Sequence, residues 1–281
     1  MEQILKHSDP YAPIRKVPLD YNGIKSSAYS VQLEDYCKTG EDEGKPVYAN
    51  KWQEKGVVGS NYLLIPNEEV KDMAGVISEA SGVTWNENKV FFNGRQYMYS
   101  MVTDDVGGEV KKGDVINLGF AMWNSYDGSR SLSFEMFLNR LVCMNGMITK
   151  KNFETYRFKH TPGSSNWQED LEQVCKLIEH VPVNKYVESF TKLSSTPLMV
   201  NDLSFIRQNH LTRVPTSTWG KVLDKFLTDR VNSKTMRQDS EYTGWDLLNA
   251  GTNVTWHNKK QTMQDFNMNG YIVEGMCDYV N

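Results

Sequence analysis

The residues best suited to chemistry lie between positions 123 and 160, where cationic and aromatic side chains alternate along the chain. Cations can follow the phosphates of a polynucleotide while aromatic rings stack on its bases, and this combination suits a single strand. Lysines that protect an exposed sheet edge from aggregation explain the same pattern equally well. The predicted nucleic-acid-binding residues are Trp123, Asn124, Tyr126, Arg130, Arg140, Asn145, Lys150, Lys151, Arg157 and Lys159.

A different chemistry would use a cysteine as nucleophile. Cys143, with His160 or His257 as its base, could form such a pair. Cys143 stands in the apolar segment RLVCMNGM, however, and a cysteine at an apolar strand end is usually a small core residue. We therefore predict no catalytic residue, and these three would act only if the protein is an enzyme.

Carboxylates that could hold a hard cation are Asp104, Asp105, Glu109 and Asp127. An exposed loop explains the segment DDVGGE without a metal, and the sequence has no HExxH motif. Neither GxGxxG nor GxxxxGKS/T occurs, which argues against a nucleotide-dependent enzyme. We predict no metal and no cofactor.

Composition limits the class of protein further. The chain has 281 residues, 39% of them hydrophobic and 23% charged, with a net charge of -4 and a pI of about 5.8. This is a soluble globular composition without a globally basic footprint, although it leaves room for a local basic groove.

The four cysteines form no CxxC pair, so we expect reduced thiols in the cytoplasm. The N-terminus has no apolar signal-peptide region and no run of 18 apolar residues occurs, so we expect no membrane association.

Two predicted hairpins position the candidate residues. In the second, the segment NSYDGS joins two alternating strands, and Asp127–Gly128 inside it tolerates positive φ. The alternating apolar residues are Ile116, Leu118, Phe120 and Met122 on one strand and Leu132, Phe134, Met136 and Leu138 on the other. In the first hairpin, Asn93–Gly94 separates two β-rich runs. A strand that ends at Pro66 and a helix from Asn67 to Gly82 precede it.

The two halves of the chain differ in pattern. Residues 1–55 are rich in proline, glycine and charge, and we expect an extended N-terminal arm with little regular structure. Residues 56–281 are predicted to form a single α+β domain, sheet-rich over 56–160 and helical over 166–260. We expect an antiparallel sheet with hairpins, on which the C-terminal helices pack. The tail NGYIVEGMCDYV fits either a strand or a helix.

Four short segments together resemble a known family. They are NSYDGSRSLSF, RLVCMNGM, FKHTPGS and TGWDLLNAGTNVTWH, in that order within residues 56–260. The segments resemble the phage/plasmid-like protein family, a domain of unknown function carried by bacteriophages and plasmids. Family members usually have histidine where this chain has Tyr126 and valine where it has Leu141. The last segment here also has Gly251 between the alanine and the threonine.

The family carries no firm activity, but the departure at Tyr126 favours binding over catalysis. If the usual histidine were a catalytic base, this chain would lack it, whereas Tyr126 can still stack or hydrogen-bond. The strand–helix–hairpin order is similar to the core of single-strand annealing proteins of the RecT and Erf type. That similarity implies a single-stranded DNA-binding protein for annealing and recombination, a homo-oligomer in the cytoplasm of a bacterial host. Arg130 and Arg140 would then meet phosphates, while Asn124 would shape the loop and Asn145 would brace the adjoining backbone.

Two alternatives stay open. A protein-binding module, such as an inhibitor of a host defence system, fits the acidic net charge and the long N-terminal arm. An uncharacterised enzyme that uses Cys143, Asn145, His160 and His257 is the other. Binding of single-stranded DNA with a steep salt dependence would separate the first function from both alternatives.

Overall fold

The structure is a computed structural model, and it has an α+β fold. The described residues are 9–21, 24–43, 45–140, 145–147, 155–158, 167–233, 242–257 and 263–281. The strands are β1 (Ile14–Tyr21), β2 (Ile24–Asp42), β3 (Lys45–Gly59), β4 (Asn86–Phe92), β5 (Gln96–Lys111), β6 (Asp114–Ser125), β7 (Ser133–Arg140), β8 (Asn145–Met147) and β9 (Thr155–Arg157). The helices are α1 (Asn67–Ala80), α2 (Trp167–Glu179), α3 (Val183–Ser195), α4 (Val200–Asn209), α5 (Thr216–Ser233), α6 (Gly244–Trp256) and α7 (Met263–Val280). The predicted fold class is therefore confirmed.

Strands β1, β2 and β3 form a three-stranded antiparallel sheet near the N-terminus. The expectation of little regular structure over residues 1–55 was wrong, and the predicted boundary before residue 56 falls inside β3. The charge and proline content of this segment predicts a loop, whereas the folded chain carries these charges on the surface of a sheet. Val31 and Leu33, two residues apart on β2, are fully buried and pack with Val58 and Tyr126 in one apolar cluster.

The second sheet has the strand order β4-β5-β6-β7-β8, and β9 pairs with β7. Both predicted hairpins are confirmed, one between β4 and β5 and the other between β6 and β7. Gly94 has a φ of 87° and Gly128 a φ of 71°, so glycine stands at both turns where an L side chain would be strained. The local turn chemistry thus specified both connections.

Strand β6 is buried on both faces. The residues predicted to face the core, such as Ile116 and Phe120, are buried, but so are Asn117, Ala121 and Trp123 on the alternate face. In a strand covered on both sides, apolar residues occur on both faces. The alternation of apolar and polar residues then no longer identifies a face exposed to solvent. This double coverage decides where the candidate residues of the second hairpin lie.

Helix α1 begins and ends where the sequence predicts. It spans Asn67–Ala80 with Val70, Ala74 and Ile77 buried, and the chain turns at Gly82, which has a φ of 67°. The strand that was predicted to reach Pro66 ends earlier, at Gly59. There the backbone N–H of Tyr62 donates to the Gly59 carbonyl and closes a turn.

The C-terminal half is helical, as predicted over residues 166–260. Helix α4 was not identified from the sequence, and the ambiguous tail is helix α7. Gly251 of α6 lies close to Ile272 of α7, since a Cβ at Gly251 would stand 2.7 Å from Ile272 Cγ2. Among the described residues, no helix is both long and apolar enough to cross a membrane.

The described chain divides into two compact units that interleave along the sequence. Unit 1 consists of Met1–Met101, Phe120–Glu135 and Thr155–Ile178. Unit 2 consists of Val102–Gly119, Met136–Glu154 and Glu179–Asn281. Unit 1 contains the three-stranded sheet and α1, and unit 2 contains α3 to α7. Strands β5, β6 and β7 contribute residues to both units.

Candidate nucleic-acid interface

The loop of the second hairpin is closed by its own polar side chains. Ser125 Oγ accepts a hydrogen bond from the backbone N–H of Arg130 at 3.0 Å and donates to the Arg130 carbonyl at 2.7 Å. Asp127 Oδ1 accepts from the backbone N–H of Ser129 at 3.0 Å, an Asx turn next to Gly128. The polar residues of NSYDGS therefore shape a turn, as the sequence predicted.

Three of the predicted binding residues of this hairpin are buried in unit 1. Trp123 is 2% exposed, Asn124 is 0% and Tyr126 is 1%. Asn124 Nδ2 donates to the Ile65 carbonyl at 2.9 Å and to Asn67 Oδ1 at 3.0 Å, and the Tyr126 hydroxyl accepts from the Asn67 N–H at 3.1 Å. These side chains tie the end of β6 to the start of α1. This placement corrects their predicted role in binding DNA. A base cannot stack on the covered rings of Trp123 and Tyr126, and the Asn124 amide already donates its hydrogen bonds inside the protein.

Arg130 is also withdrawn from the surface. Its guanidinium carbon lies 3.8 Å from the centroid of the Trp123 ring, and Nη2 is 2.6 Å from Glu135 Oε1. Burial lowers the pKa of Arg130, while the charge of Glu135 acts in the opposite direction. The carboxylate neutralises the cation locally, so its predicted contact with a phosphate is corrected as well.

Arg140 has a similar partner in unit 2. Its Nε and Nη2 atoms each lie 2.6 Å from an oxygen of Asp114, and the Trp245 indole N–H donates to the same carboxylate at 2.8 Å. Burial raises the pKa of Asp114, but the hydrogen bonds from Arg140 and Trp245 outweigh it and hold the pKa below its usual value. Arg140 is thus engaged in a structural ion pair.

The other predicted residues fall into two groups. Arg157 on β9 is exposed, and His257, at the end of α6, is exposed too. Cys143, Lys150, Lys151, Lys159 and His160 lie outside the described residues, as does the side chain of Asn145. Among the residues that the structure describes, no group of three His, Cys, Asp or Glu side chains could hold a metal ion.

The three-stranded sheet of unit 1 has an exposed surface with aromatic and cationic side chains that was not among the predicted sites. The Arg15 guanidinium lies 4.0 Å from the centroid of the Trp52 ring, and its Nε donates to Gln32 Oε1 at 3.0 Å. Farther along the strands, the rings of Tyr36 and Tyr48 are stacked with centroids 5.7 Å apart and planes 20° apart. Trp52 is 37% exposed and Tyr36 is 56% exposed, so these rings can be reached from solvent.

Strand register places these residues on one face. Arg15 is opposite Gln32 on β2, and Trp52 on β3 is opposite Glu34, so side chains two residues apart share the same side. The other face holds the buried Val31 and Leu33. We call the surface formed by Arg15, Gln32, Glu34, Tyr36, Tyr48, Asn50, Trp52 and Glu54 the ribbon face.

The edges of this sheet carry charges that discourage further strand pairing. In the described chain β1 pairs with β2 only as far as Leu33, so residues 34–42 pair with β3 alone. That part of β2 contains Glu34, Asp35, Glu41 and Asp42, whereas β3 contains Lys45, Lys51 and Lys55. Antiparallel pairing of an edge with its copy would bring like charges together, and lysine on an edge strand has the same protective effect. The edges of this sheet are therefore poorly suited to pairing with another strand.

The signal for this face was present in the sequence. The segments YSVQLEDY and YANKWQ alternate in period two, with Val31 and Leu33 on one side and Tyr48, Asn50 and Trp52 two residues apart on the facing strand. A test for alternation over residues 28–54 would have predicted two strands despite the charges.

Comparison with known proteins shows the family of the chain. Searches of curated proteins and of solved structures found no match. A family model described as a domain of unknown function, DUF932, matches residues 54–271. Because the match covers most of the chain, including α1, the second sheet and α2 to α6, the protein belongs to the DUF932 family.

Proposed function

We propose that this protein binds single-stranded DNA through the ribbon face and acts in strand annealing and recombination. One observation supports this assignment: Arg15 lies over the exposed Trp52, and the exposed Tyr36 stacks on the half-buried Tyr48, along the same sheet face. Exposed aromatic rings next to a guanidinium are the combination with which proteins hold unpaired bases and their phosphates. The predicted phage or plasmid origin, homo-oligomeric state and cytoplasmic location belong to the same proposal.

The chemistry of stacking suits annealing. A base that stacks on Trp52 or Tyr36 uses its π-face and keeps its pairing edge free for a complementary strand. A duplex hides those π-faces inside its own stack, so an aromatic surface favours a single strand over a duplex. Arg15 supplies positive charge beside the rings, where a phosphate would follow the stacked base.

The experiment is a titration of a fluorescently labelled oligothymidylate, followed by anisotropy at low and high salt. We expect binding that weakens with salt and a loss of roughly tenfold in affinity for each of Trp52→Ala and Tyr36→Ala, since each stacked base contributes about 1–3 kcal/mol. Phe205→Ala is the matched control, because Phe205 is an aromatic ring, 52% exposed, on α4. Absence of binding at low salt, or variants that bind as tightly as the native protein, would overturn the proposal.

A protein partner is the second candidate for the same face. The charges of the ribbon face are mixed, with Arg15 accompanied by Glu34 and Glu54. Arginine, tyrosine and tryptophan are also the residue types that dominate protein–protein interfaces. This candidate, which includes an inhibitor of a host defence system, gains support if the native protein binds none of the oligonucleotides.

The enzyme alternative has its own test. If a Cys143→Ser variant has the same phenotypes as the native protein, Cys143 is excluded as the nucleophile.

A further inference from the structure

The ammonium group of Lys71 lies between two tyrosine rings in unit 1. Lys71 extends from α1, and its Nζ atom is 5.6 Å from the centroid of the Tyr11 ring and 5.7 Å from that of the Tyr99 ring. Glu87 forms a third side, with its Oε2 atom 3.7 Å from the same nitrogen. Aromatic faces around a cation are the arrangement with which proteins recognise alkylated ammonium groups. We call Tyr11, Tyr99 and Glu87 the ammonium cage.

The walls of the cage are fixed by contacts that do not involve Lys71. The Tyr99 hydroxyl donates to Glu87 Oε2 at 2.9 Å, and the Tyr11 hydroxyl is 3.0 Å from that of Tyr97. Tyr97 is fully buried and Tyr99 is 5% exposed. Burial and the hydrogen bond to Glu87 raise the pKa of Tyr99, so its hydroxyl keeps the proton that it donates. The two rings therefore stay in place when Lys71 leaves.

Lys71 itself is held weakly. Its side chain is 45% exposed and that of Glu87 is 53% exposed, and an ion pair this exposed contributes little to stability. The flexible four-carbon chain of a lysine can turn toward solvent, where its ammonium group is strongly hydrated. The cage can therefore be emptied at low cost.

The distances in the cage fit a larger cation than a primary ammonium group. Where Lys16 lies over the Tyr29 ring, its Nζ atom is 4.7 Å from the centroid, closer than the Lys71 nitrogen is to either of its rings. A methyl carbon stands about 1.45 Å from its nitrogen and contacts a ring carbon at about 3.5–4.0 Å, which together give about 5.0–5.5 Å. A trimethylammonium group at the position of the Lys71 nitrogen would therefore contact both rings through its methyl groups.

We infer that the ammonium cage binds a trimethylammonium group, such as that of choline or of a trimethylated lysine, and that Lys71 occupies the cage in the free protein. Methylation removes the donors that hold water around a primary ammonium group, so a trimethylammonium group loses less hydration when it enters an aromatic site. It keeps the positive charge that attracts Glu87 and both rings. The inference concerns other residues than the ribbon face and is independent of DNA binding.

The test follows the methyl proton resonance of choline by NMR, because the ring currents of neighbouring tyrosines shift this resonance upfield. We expect weak binding to the native protein and roughly tenfold tighter binding to Lys71→Ala, in which the competing ammonium group is gone. The carbon isostere of choline, in which a carbon atom replaces the nitrogen, has the same shape without the charge and should not bind. Lys225→Ala is the matched control, because it removes a lysine that pairs with Asp229 on α5 and should leave choline binding unchanged.

Two further variants test the walls of the cage. Tyr11→Leu, introduced into the Lys71→Ala protein, removes a ring that is 37% exposed and should weaken choline binding severalfold. Glu87→Gln in the same protein should weaken it as well, because the carboxylate charge is lost. A trimethyllysine amide is titrated beside choline, and the ligand that binds more tightly identifies the source as a protein side chain or a free small molecule.

Three results would overturn the inference. They are Lys71→Ala binding choline no more tightly than the native protein, the uncharged isostere binding as well as choline, and Tyr11→Leu leaving the affinity unchanged. Circular dichroism of each variant checks that it has the native fold.

Discussion

Arg140 and Asp114 form an ion pair with two parallel hydrogen bonds, both 2.6 Å long, in unit 2. Trp245 at the start of α6 donates a third hydrogen bond to the same carboxylate, which is 3% exposed. The buried Asp114 carboxylate thus connects three elements. It lies at the beginning of β6 and accepts hydrogen bonds from Arg140 at the end of β7 and from Trp245 on α6. Arg140, which was predicted to bind phosphate, is therefore part of the structural framework of unit 2.

Removing the cation should destabilise the fold. Arg140→Ala leaves the Asp114 carboxylate buried without its ion-pair partner, and breaking such a pair from one side lowers the free energy of unfolding by about 3 kcal/mol. Urea unfolding of both proteins measures the difference. Lys225→Ala is the control, because Lys225 pairs with Asp229 on the surface of α5 and should contribute less than about 0.5 kcal/mol. Equal effects of the two substitutions would contradict a structural role for Arg140.

The same pair predicts how stability responds to acid. The folded pKa of Asp114 lies below its unfolded value of about 3.9, so the contribution of this carboxylate is complete above that pH. It is lost as the pH falls through the lower, folded pKa. The difference in unfolding free energy between the native protein and Asp114→Asn should thus be constant near neutral pH and narrow below about pH 4. A difference that widens in acid would show that the carboxyl pKa is raised.

Tyr126 should matter through its hydroxyl group. Tyr126→Phe removes the acceptor for the Asn67 N–H at the start of α1 and leaves that buried donor without its partner. We expect a loss of about 1–3 kcal/mol in unfolding free energy, as measured in urea. Tyr36→Phe removes a hydroxyl from an exposed ring and should change stability by less than about 0.5 kcal/mol. If neither substitution changes the unfolding free energy, the hydrogen bond from the Asn67 N–H to the Tyr126 hydroxyl does not stabilise the start of α1.

Local signals predicted the connections and most helices of this chain. Asn93–Gly94 and Asp127–Gly128 specified two turns through backbone conformation alone, and Asn67 and Gly82 marked the two ends of α1. The three-stranded sheet was missed because residues 1–55 were judged by their charge and proline content. In a sheet with one exposed face, charge is compatible with a strand, and the period of two is the more reliable sign.

The candidate site was harder to predict than the fold, for a physical reason. Trp123 and Arg130 carry the right chemistry for a polynucleotide, but the burial of a strand depends on what covers each of its faces. That covering comes from residues distant in the sequence, as with Asn67 against Asn124 and Tyr126. Period and residue type can therefore identify a strand and its turn, while exposure follows only from the tertiary structure.

Close approach of β3 to the hairpin loop makes Gly56 sensitive to substitution. A Cβ at Gly56 would lie 2.5 Å from Asp127 Cα, and a backbone atom cannot move aside as a side chain can. Gly56→Ala should lower the unfolding free energy by about 1–3 kcal/mol and accelerate hydrogen exchange along β3. Gly59→Ala, at a position with nothing within 4 Å of the added carbon, should be nearly neutral. Similar exchange rates in the two variants would argue against the contact between β3 and the loop.

Two helical glycines of unit 2 should respond to alanine with opposite signs. In a helix, alanine is favoured over glycine by about 1 kcal/mol, so Gly220→Ala on α5, with open space around the new carbon, should raise the unfolding free energy by up to that amount. At Gly251 the same gain is opposed by a Cβ that would stand 2.7 Å from Ile272 Cγ2 and 3.3 Å from its Cδ1. Overpacking of this kind costs about 1–3 kcal/mol, so Gly251→Ala should be destabilising overall. Thermal unfolding of the two variants measures the signs directly. A stabilising Gly251→Ala would mean that α6 and α7 are not in close contact at this glycine.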